Sequence, residues 1–526
     1  MPEQFSHPST GLNWVDQLSR HAFMQADGVA LRYKGNTTTW AGLDDRVRRL
    51  AAGLADVGVN KGDRVIILIT NRPEFVEAVI AVNRLGAVAV PINFRLVASE
   101  VAFLAHDSGS AAIIVEQDLA ALVASVRADA GREIASIVVG DNPAQAGPGS
   151  ISFESLIADH EPLPGNGAAA DGELALICYT SGTTGRPKGA MLTYTNLTMQ
   201  TISGVLASTT VDTTGVRLIT PPLFHIAGVG GLLPSITLGV TTAIMPTGAF
   251  DPDVLLDVLE SEQITGVFLV PTQWQMVCER PGIENRKLAL KTISWGASPA
   301  TPAILRAMDK AFPGVPNICT FGQTEMSPVT TVLSGEDAIR KLGSVGKPVA
   351  GVSARIVDAE MNDVPRGEIG EIVYRGPGTM IGYWNNPQAT EDAFRGGWFH
   401  SGDLVREDEE GFIYVVDRLK DMIISGGENI YSAEVENVIS DHPKVREVAL
   451  VGAPHPRWVE TPVAFVVAND EQDPPTAEEI IDFCQTHLAS YKKPTRVHIV
   501  EVLPRNASGK ILKGPLRDQA KQESSV

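Results

Sequence analysis

Residues 174–189 read LALICYTSGTTGRPKG: an apolar run, Leu174 to Cys178, followed by a loop, Tyr179 to Gly189, built largely of glycine and hydroxyl residues. The apolar run reads as a buried strand. The loop lets backbone come close to a ligand and offers many N–H and O–H donors, which suits a phosphate chain. Lys188 adds a positive charge. This is not a Walker loop, because no Gly-Lys-Ser/Thr follows four variable residues after a glycine. A lone stretch of this composition could equally be a surface linker, so its surroundings decide.

Those surroundings alternate short β-branched runs with amphipathic stretches. Arg64 to Thr70 (RVIILIT) reads as a strand, Glu74 to Leu85 as a helix, and Ala87 to Ile92, Ala111 to Val115 and Ser136 to Val139 as further strands. Strands separated by helical patterns predict a parallel, doubly wound α/β sheet. Pro162 to Gly172 reads as an exposed connection. After about residue 417 the character changes: Phe412 to Val416, Glu447 to Val451 and Val463 to Val467 read as strands, and Ala433 to Ser440 and Ala477 to Ala489 as helices. This predicts a separate α+β unit with its own core.

The 526 residues are too many for one core, and the formal net charge of -19 argues against sequence-independent nucleic-acid binding. Cys178, Cys278, Cys319 and Cys484 lie far apart, with no CxxC pattern, so they read as core thiols in a reducing, cytoplasmic setting rather than a zinc site. Met1 to Arg20 shows no signal-peptide pattern. Leu218 to Phe250 lacks charged residues over a length that could span a bilayer, but Pro221, Pro222, Pro234 and Pro246 interrupt it. Strand, loop, buried helix and strand fit it better, and no stable membrane insertion is expected.

Further segments recur in a telling order: Pro222 to His225 (PLFH), Trp295 to Pro299 (WGASP), Phe321 to Glu325 (FGQTE), Trp398 to Asp403 (WFHSGD), Asp417 to Gly427 (DRLKDMIISGG) and Pro504 to Lys513 (PRNASGKILK). With the loop at Tyr179 to Gly189, they resemble the adenylate-forming superfamily of acyl-CoA ligases and amino-acid adenylation domains, from about Thr39 to Leu516. The resemblance implies a large α/β N-terminal lobe (residues 1–418; parallel sheets with flanking helices and a smaller β subdomain) and a small mobile α+β C-terminal domain (419–526). It also implies ATP, Mg2+ and coenzyme A as cofactor and co-substrates, and a two-step reaction through an acyl-adenylate. Within the family the pattern is most similar to actinobacterial-type fatty-acid–CoA ligases, so a medium- or long-chain fatty acid is the expected substrate. An aryl- or cyclic-acid ligase, or an acyl-AMP ligase serving a carrier protein, is the alternative. No insertion is evident between Pro348 and Arg418, which favours CoA. A homodimer is left open.

The resemblance also assigns residues. Thr180, Ser181, Gly182, Thr183, Thr184 and Lys188 would cradle the phosphates. Gly296, Ala297, Ser298, Phe321, Gly322 and Gln323 would line the adenine and nucleotide slot. Thr324 would touch the α-phosphate and Glu325 would hold magnesium, a hard cation that often takes one carboxylate plus phosphate oxygens. Asp403 and Arg418 resemble the ribose pair. Lys510 would bridge carboxylate and α-phosphate as two anions approach. His225, Gly228 and Gly231 would border the acyl pocket; the aspartate that holds the amine in amino-acid-activating relatives is absent from this segment. Lys420 stands at the hinge position, and Gly426 and Gly427 would frame the CoA channel after the C-terminal domain rotates. Lys492 and Lys493 could meet CoA phosphates or form a solvated patch. Trp458-Val459-Glu460 departs from the family's Trp-Gly-Glu, which puts CoA contacts at that turn in question.

A P-loop ATPase would need the missing Walker residues, and a non-catalytic sensor would be expected to lack Lys510 or Glu325.

Overall fold

The computed structural model describes residues 11–123, 126, 134–165, 170–180, 186–207, 212–298, 300–425, 428–505 and 511–524. The chain divides into two compact units: Met1–Leu342 with Gly346–Ser353 and Arg375–Phe399, and Gly343–Val345 with Ala354–Tyr374 and His400–Val526. The strands carrying Asp403 and Arg418 therefore group with the C-terminal residues.

The first unit holds two largely parallel sheets with helices between strands, the α/β architecture expected from the alternating pattern. In one, Leu174–Thr180, Val88–Pro91, Arg64–Leu68, Ala112–Glu116, Ala135–Val139 and Ile151–Ser152 run parallel, in that spatial order. Lys188–Thr193 and then Gly382–Tyr383 extend it antiparallel beside Leu174–Thr180. Ile66, Leu68, Val88, Val90, Ile113, Val115 and Ile177 pack into one core on this sheet. Strands covered on both faces read as continuous apolar runs, which is why RVIIL shows no alternation. The helix Pro73–Arg84 starts with proline in its first turn, where the missing N–H costs nothing.

The other sheet has six parallel strands at its centre, Asn317–Gly322, Thr292–Gly296, Gly266–Leu269, Val216–Ile219, Thr241–Ile244 and Val29–Tyr33. The uncharged stretch resolves as expected into the strand Val216–Ile219, a loop, the helix Ile226–Leu238 and the strand Thr241–Ile244. Among the described residues no helix is long and apolar enough to cross a membrane.

The second unit contains, apart from the end residues Ser353, Arg375 and Phe399, the neighbouring strands Ser353–Val357, Gly370–Arg375, Phe399–Glu407 and Ile413–Arg418. Its C-terminal part is built on an antiparallel pair, Val445–His455 and Val459–Ala468, flanked by Ile423–Ser425 and by Arg496–Ile499 in parallel. These strands run well beyond the short segments read from sequence. Both faces of the pair are buried: Val448, Leu450, Ala464 and Val466 pack with Val435, Ile439, Ile480 and Cys484. Ala449, Val451, Val463 and Phe465 pack with Leu503, Leu516 and Ala520. Helices Ser432–Ser440 and Ala477–His487 cover one face and Lys513–Ser524 the other.

Candidate active site

The strands on either side of the glycine- and hydroxyl-rich loop pair antiparallel, Thr180 opposite Lys188 and Tyr179 opposite Gly189. A Walker loop instead opens a helix. Ser181, Gly182, Thr183 and Thr184 lie outside the described residues. At the base of the loop, Thr180 Oγ1 donates to the Lys188 carbonyl and to Glu325 Oε1, both at 3.4 Å. Tyr179 is held from behind, its hydroxyl donating to Asp107 at 2.6 Å.

Thr324 and Glu325 form a short 3-10 turn directly after the strand Asn317–Gly322. The Glu325 carboxylate is buried and takes a second hydroxyl, that of Tyr383, at 2.9 Å. Burial, then the charge of Glu325 and its hydrogen bond, push the Tyr383 phenol well above its ordinary range. The Lys188 ammonium stands 5.2 Å from the centre of the Tyr383 ring. One carboxylate, two hydroxyls and one cation thus meet at the loop's base. Tyr383 was not found from sequence; its only local mark is the turn-rich stretch Gly382-Tyr383-Trp384-Asn385-Asn386-Pro387. The sheet places it, because the short strand Gly382–Tyr383 pairs with the strand that begins at Lys188.

Gly296 ends the strand Thr292–Gly296 opposite Thr320, and Phe321 and Gly322 end the neighbouring strand. Ligands of open parallel sheets gather at such carboxyl ends. A β-carbon on Gly296 would run into the Thr320 carbonyl, so only glycine lets the two strand ends come this close. Ala297 follows with φ of 65°. Phe321 is half-buried, and the buried Gln323 amide nitrogen has no hydrogen-bond partner among the described residues.

His225 caps the helix Ile226–Leu238, its Nδ1 accepting the Ala227 N–H at 3.1 Å. In a neutral ring the proton then sits on Nε2. Buried Asn71 fastens this segment: its Oδ1 accepts from Leu223 N–H at 2.7 Å and its Nδ2 donates to the Pro221 carbonyl at 3.0 Å. Gly228 faces the Pro222–Leu223 backbone, which occupies the space a side chain would need. Gly231 faces Ile219, whose Cδ1 would lie 3.0 Å from an added β-carbon. Half-buried Phe224, next to His225, meets Phe94 edge-on at 5.4 Å. Trp274, Trp295 and Met326 are buried core residues.

In the second unit Asp403 and Arg418 sit directly opposite on paired strands, with Arg418 Nε 2.6 Å from Asp403 Oδ1. The Asp403 side chain is 3% exposed and that of Arg418 32%. Next along the strand, Asp417 accepts from the Ser432 hydroxyl at 3.1 Å, and burial pushes its carboxyl up. Lys513 donates to the same hydroxyl at 2.7 Å and pairs with Glu436 at 2.8 Å. Lys420 is exposed, and its carbonyl accepts from Arg517, which also pairs with Asp421. Gly426, Gly427 and Lys510 lie outside the described residues. On either side of the segment that contains Lys510, Arg505 and Ile511 form an antiparallel bridge. Lys492 is engaged by Glu434 at 2.6 Å rather than freely solvated. Among the described residues no cluster of three or more His, Cys, Asp or Glu could hold a metal ion.

The AMP-binding enzyme family matches residues 18–384, and the AMP-binding enzyme C-terminal domain matches residues 434–510. The chain belongs to the AMP-binding enzyme family. Feruloyl-CoA synthase of Amycolatopsis sp is 41% identical over 502 residues, covering 95% of this chain and 97% of that one. Indoleacetate–CoA ligase of Aromatoleum aromaticum is 36% identical, covering 96% and 97%. Among solved structures, an anthranilate CoA ligase in complex with anthranoyl-AMP matches with a TM-score of 0.90 at 27% identity, covering 98% of each chain. The o-succinylbenzoate CoA synthetase from Bacillus subtilis, with its acyl-adenylate, matches at 0.82 and 33% identity, covering 96% and 97%.

Proposed function

We propose that this enzyme is an AMP-forming acid–CoA ligase whose acid is aromatic, of the hydroxycinnamate or arylacetate kind. The observation that carries the reading is 41% identity across 95% of the chain to a feruloyl-CoA synthase. Relatives named for indoleacetate, 2-succinylbenzoate and anthranilate support the same class. The fatty acid expected from the sequence pattern gives way to the aryl alternative. The half-buried Phe94–Phe224 pair beside His225 is a π-surface suited to a planar ring.

In the first step the acid's carboxylate oxygen attacks the α-phosphorus of ATP and pyrophosphate leaves. Both reactants are anionic, so catalysis rests on cancelling charge and aligning atoms. Thr180 to Thr184 and Lys188 hold the phosphates, and Lys510 supplies the cation shared by carboxylate and α-phosphate. Asp403 accepts from the ribose hydroxyls while Arg418 holds its carboxylate. The buried Glu325 carboxylate, with the Thr180 and Tyr383 hydroxyls beside it, is an all-oxygen group that would hold Mg2+, a hard cation that takes oxygen ligands. When bound, the ion neutralises phosphate charge. In the second step the CoA thiol attacks the acyl carbonyl and AMP leaves, with Lys420 as the hinge and Gly426–Gly427 beside the thiol's path.

The test is ATP–pyrophosphate exchange and thioester formation with ferulate, indoleacetate, benzoate, octanoate and palmitate. Ferulate or indoleacetate is expected to exceed octanoate by about tenfold or more in kcat/KM. Preference for octanoate or palmitate would restore the fatty-acid reading. No acid-dependent exchange would sink the ligase reading altogether.

A further inference from the structure

We propose that Glu371 is the positioning residue that aims Asp403 at the ribose of ATP, an inference that rests on Asp403 being the ribose acceptor. Glu371 lies on the strand Gly370–Arg375, and its side chain is only 11% exposed. Both carboxylate oxygens are committed to the strand Phe399–Glu407 just before Asp403. Oε1 accepts the Gly402 N–H at 2.9 Å, and Oε2 lies 2.7 Å from His400 Nδ1. The residue between them is tied to the same strand: the Ser401 hydroxyl donates to the Ile372 carbonyl at 2.5 Å and accepts the Asp403 N–H at 3.0 Å. Gly402 adopts a left-handed φ of 71° within the strand, and its carbonyl takes the Leu419 N–H at 2.8 Å. Three successive residues are therefore clamped from one side before the chain presents Asp403 to Arg418.

The physical need is clear. A carboxylate that accepts from two neighbouring sugar hydroxyls has to be held to within about half an ångström, and that precision comes from the residues behind it. A buried acid that spends both oxygens on these strand residues sets where Asp403 stands. Glu371 touches neither nucleotide nor acid in this account. It acts through Asp403.

The test compares binding of ATP and 2′,3′-dideoxy-ATP, each with magnesium chloride, by titration calorimetry on the full chain. The ratio of the two dissociation constants reads the ribose hydroxyls and little else. Glu371→Ala is expected to reduce that ratio about tenfold, the scale of one charge-assisted hydrogen bond lost to poor aim. Glu371→Gln should keep it within about twofold, because the amide oxygen still accepts from Gly402 and the amide nitrogen can donate to His400. Where Glu371→Ala does not fold, Glu371→Asp replaces it; one methylene too short to hold both contacts, it too should lower the ratio. Equal weakening of both nucleotides, or an unchanged ratio, overturns the proposal by reducing Glu371 to a structural residue. Asp403→Ala run alongside separates the two failures: a ratio that survives that change overturns the ribose reading itself, and the clamp with it.

Discussion

The phenol of Tyr383 donates to Oε1 of Glu325 across 2.9 Å, although the two residues lie 58 positions apart in the chain. This contact makes Glu325 part of a built group with Thr180 rather than an isolated acid after a strand. Removing the phenol while keeping the ring therefore has a defined consequence. Tyr383→Phe is expected to lower acid-dependent ATP–pyrophosphate exchange about tenfold and to raise the magnesium concentration needed for half-maximal rate. A magnesium dependence identical to wild type would remove the phenol from the account.

The proposed mechanism gives Lys510 and Lys420 different steps, so their variants should fail differently. Lys510→Ala is expected to reduce pyrophosphate exchange about 10²–10³-fold or more, since in that mechanism it deletes the charge shared by the two reacting anions. Given pre-formed acyl-adenylate, the same variant should still make thioester. Lys420→Pro alters backbone freedom rather than charge, and it should leave one half-reaction near wild type and arrest the other. Normal turnover of both by Lys420→Pro would refute the hinge assignment.

Val459 adopts φ of 73°, a left-handed conformation that a β-branched residue tolerates poorly. It is 69% exposed and begins the second strand of the long C-terminal pair, opposite His455. The departure from the family's glycine thus falls where glycine suits the backbone. Val459→Gly is expected to stabilise the C-terminal unit by about 1 kcal/mol, read as a higher urea midpoint. A lower midpoint would mean that the valine side chain contributes more than the backbone conformation costs.

Cysteine chemistry should be quiet. Burial, with Glu325 adding to it, pushes the Cys178 thiol up to about 12. Burial likewise raises Cys278 and Cys484 to about 11, and raises Cys319. A thiol raised this far holds almost no thiolate at pH 8, and the thiolate is the reactive form. Titration of native protein with a disulfide reagent at pH 8 should find half-buried Cys278 first and slowly, and all four only after denaturation. Rapid modification of Cys178 would contradict the burial beneath Glu325.

Much was legible in the sequence because it is local. Alternation and apolar runs reflect which faces of one segment are covered, so the strand at Arg64, the helix before Arg84 and the strand–helix–strand series across Val216 to Ile244 could be read residue by residue. The ordered motifs resembled adenylate-forming enzymes and named Thr180, Glu325, Asp403 and Arg418. Tertiary pairing decided the rest. Lys188–Thr193 paired antiparallel with Leu174–Thr180, on either side of the glycine- and hydroxyl-rich loop. Tyr383 reached Glu325, and Glu371 reached Gly402 from 31 residues away, through strand neighbours that no window on one segment contains. Two short apolar runs joined into one long pair because both faces found helices to cover them. Local pattern records whether a side chain will be buried; only the folded sheet chooses what it is buried against.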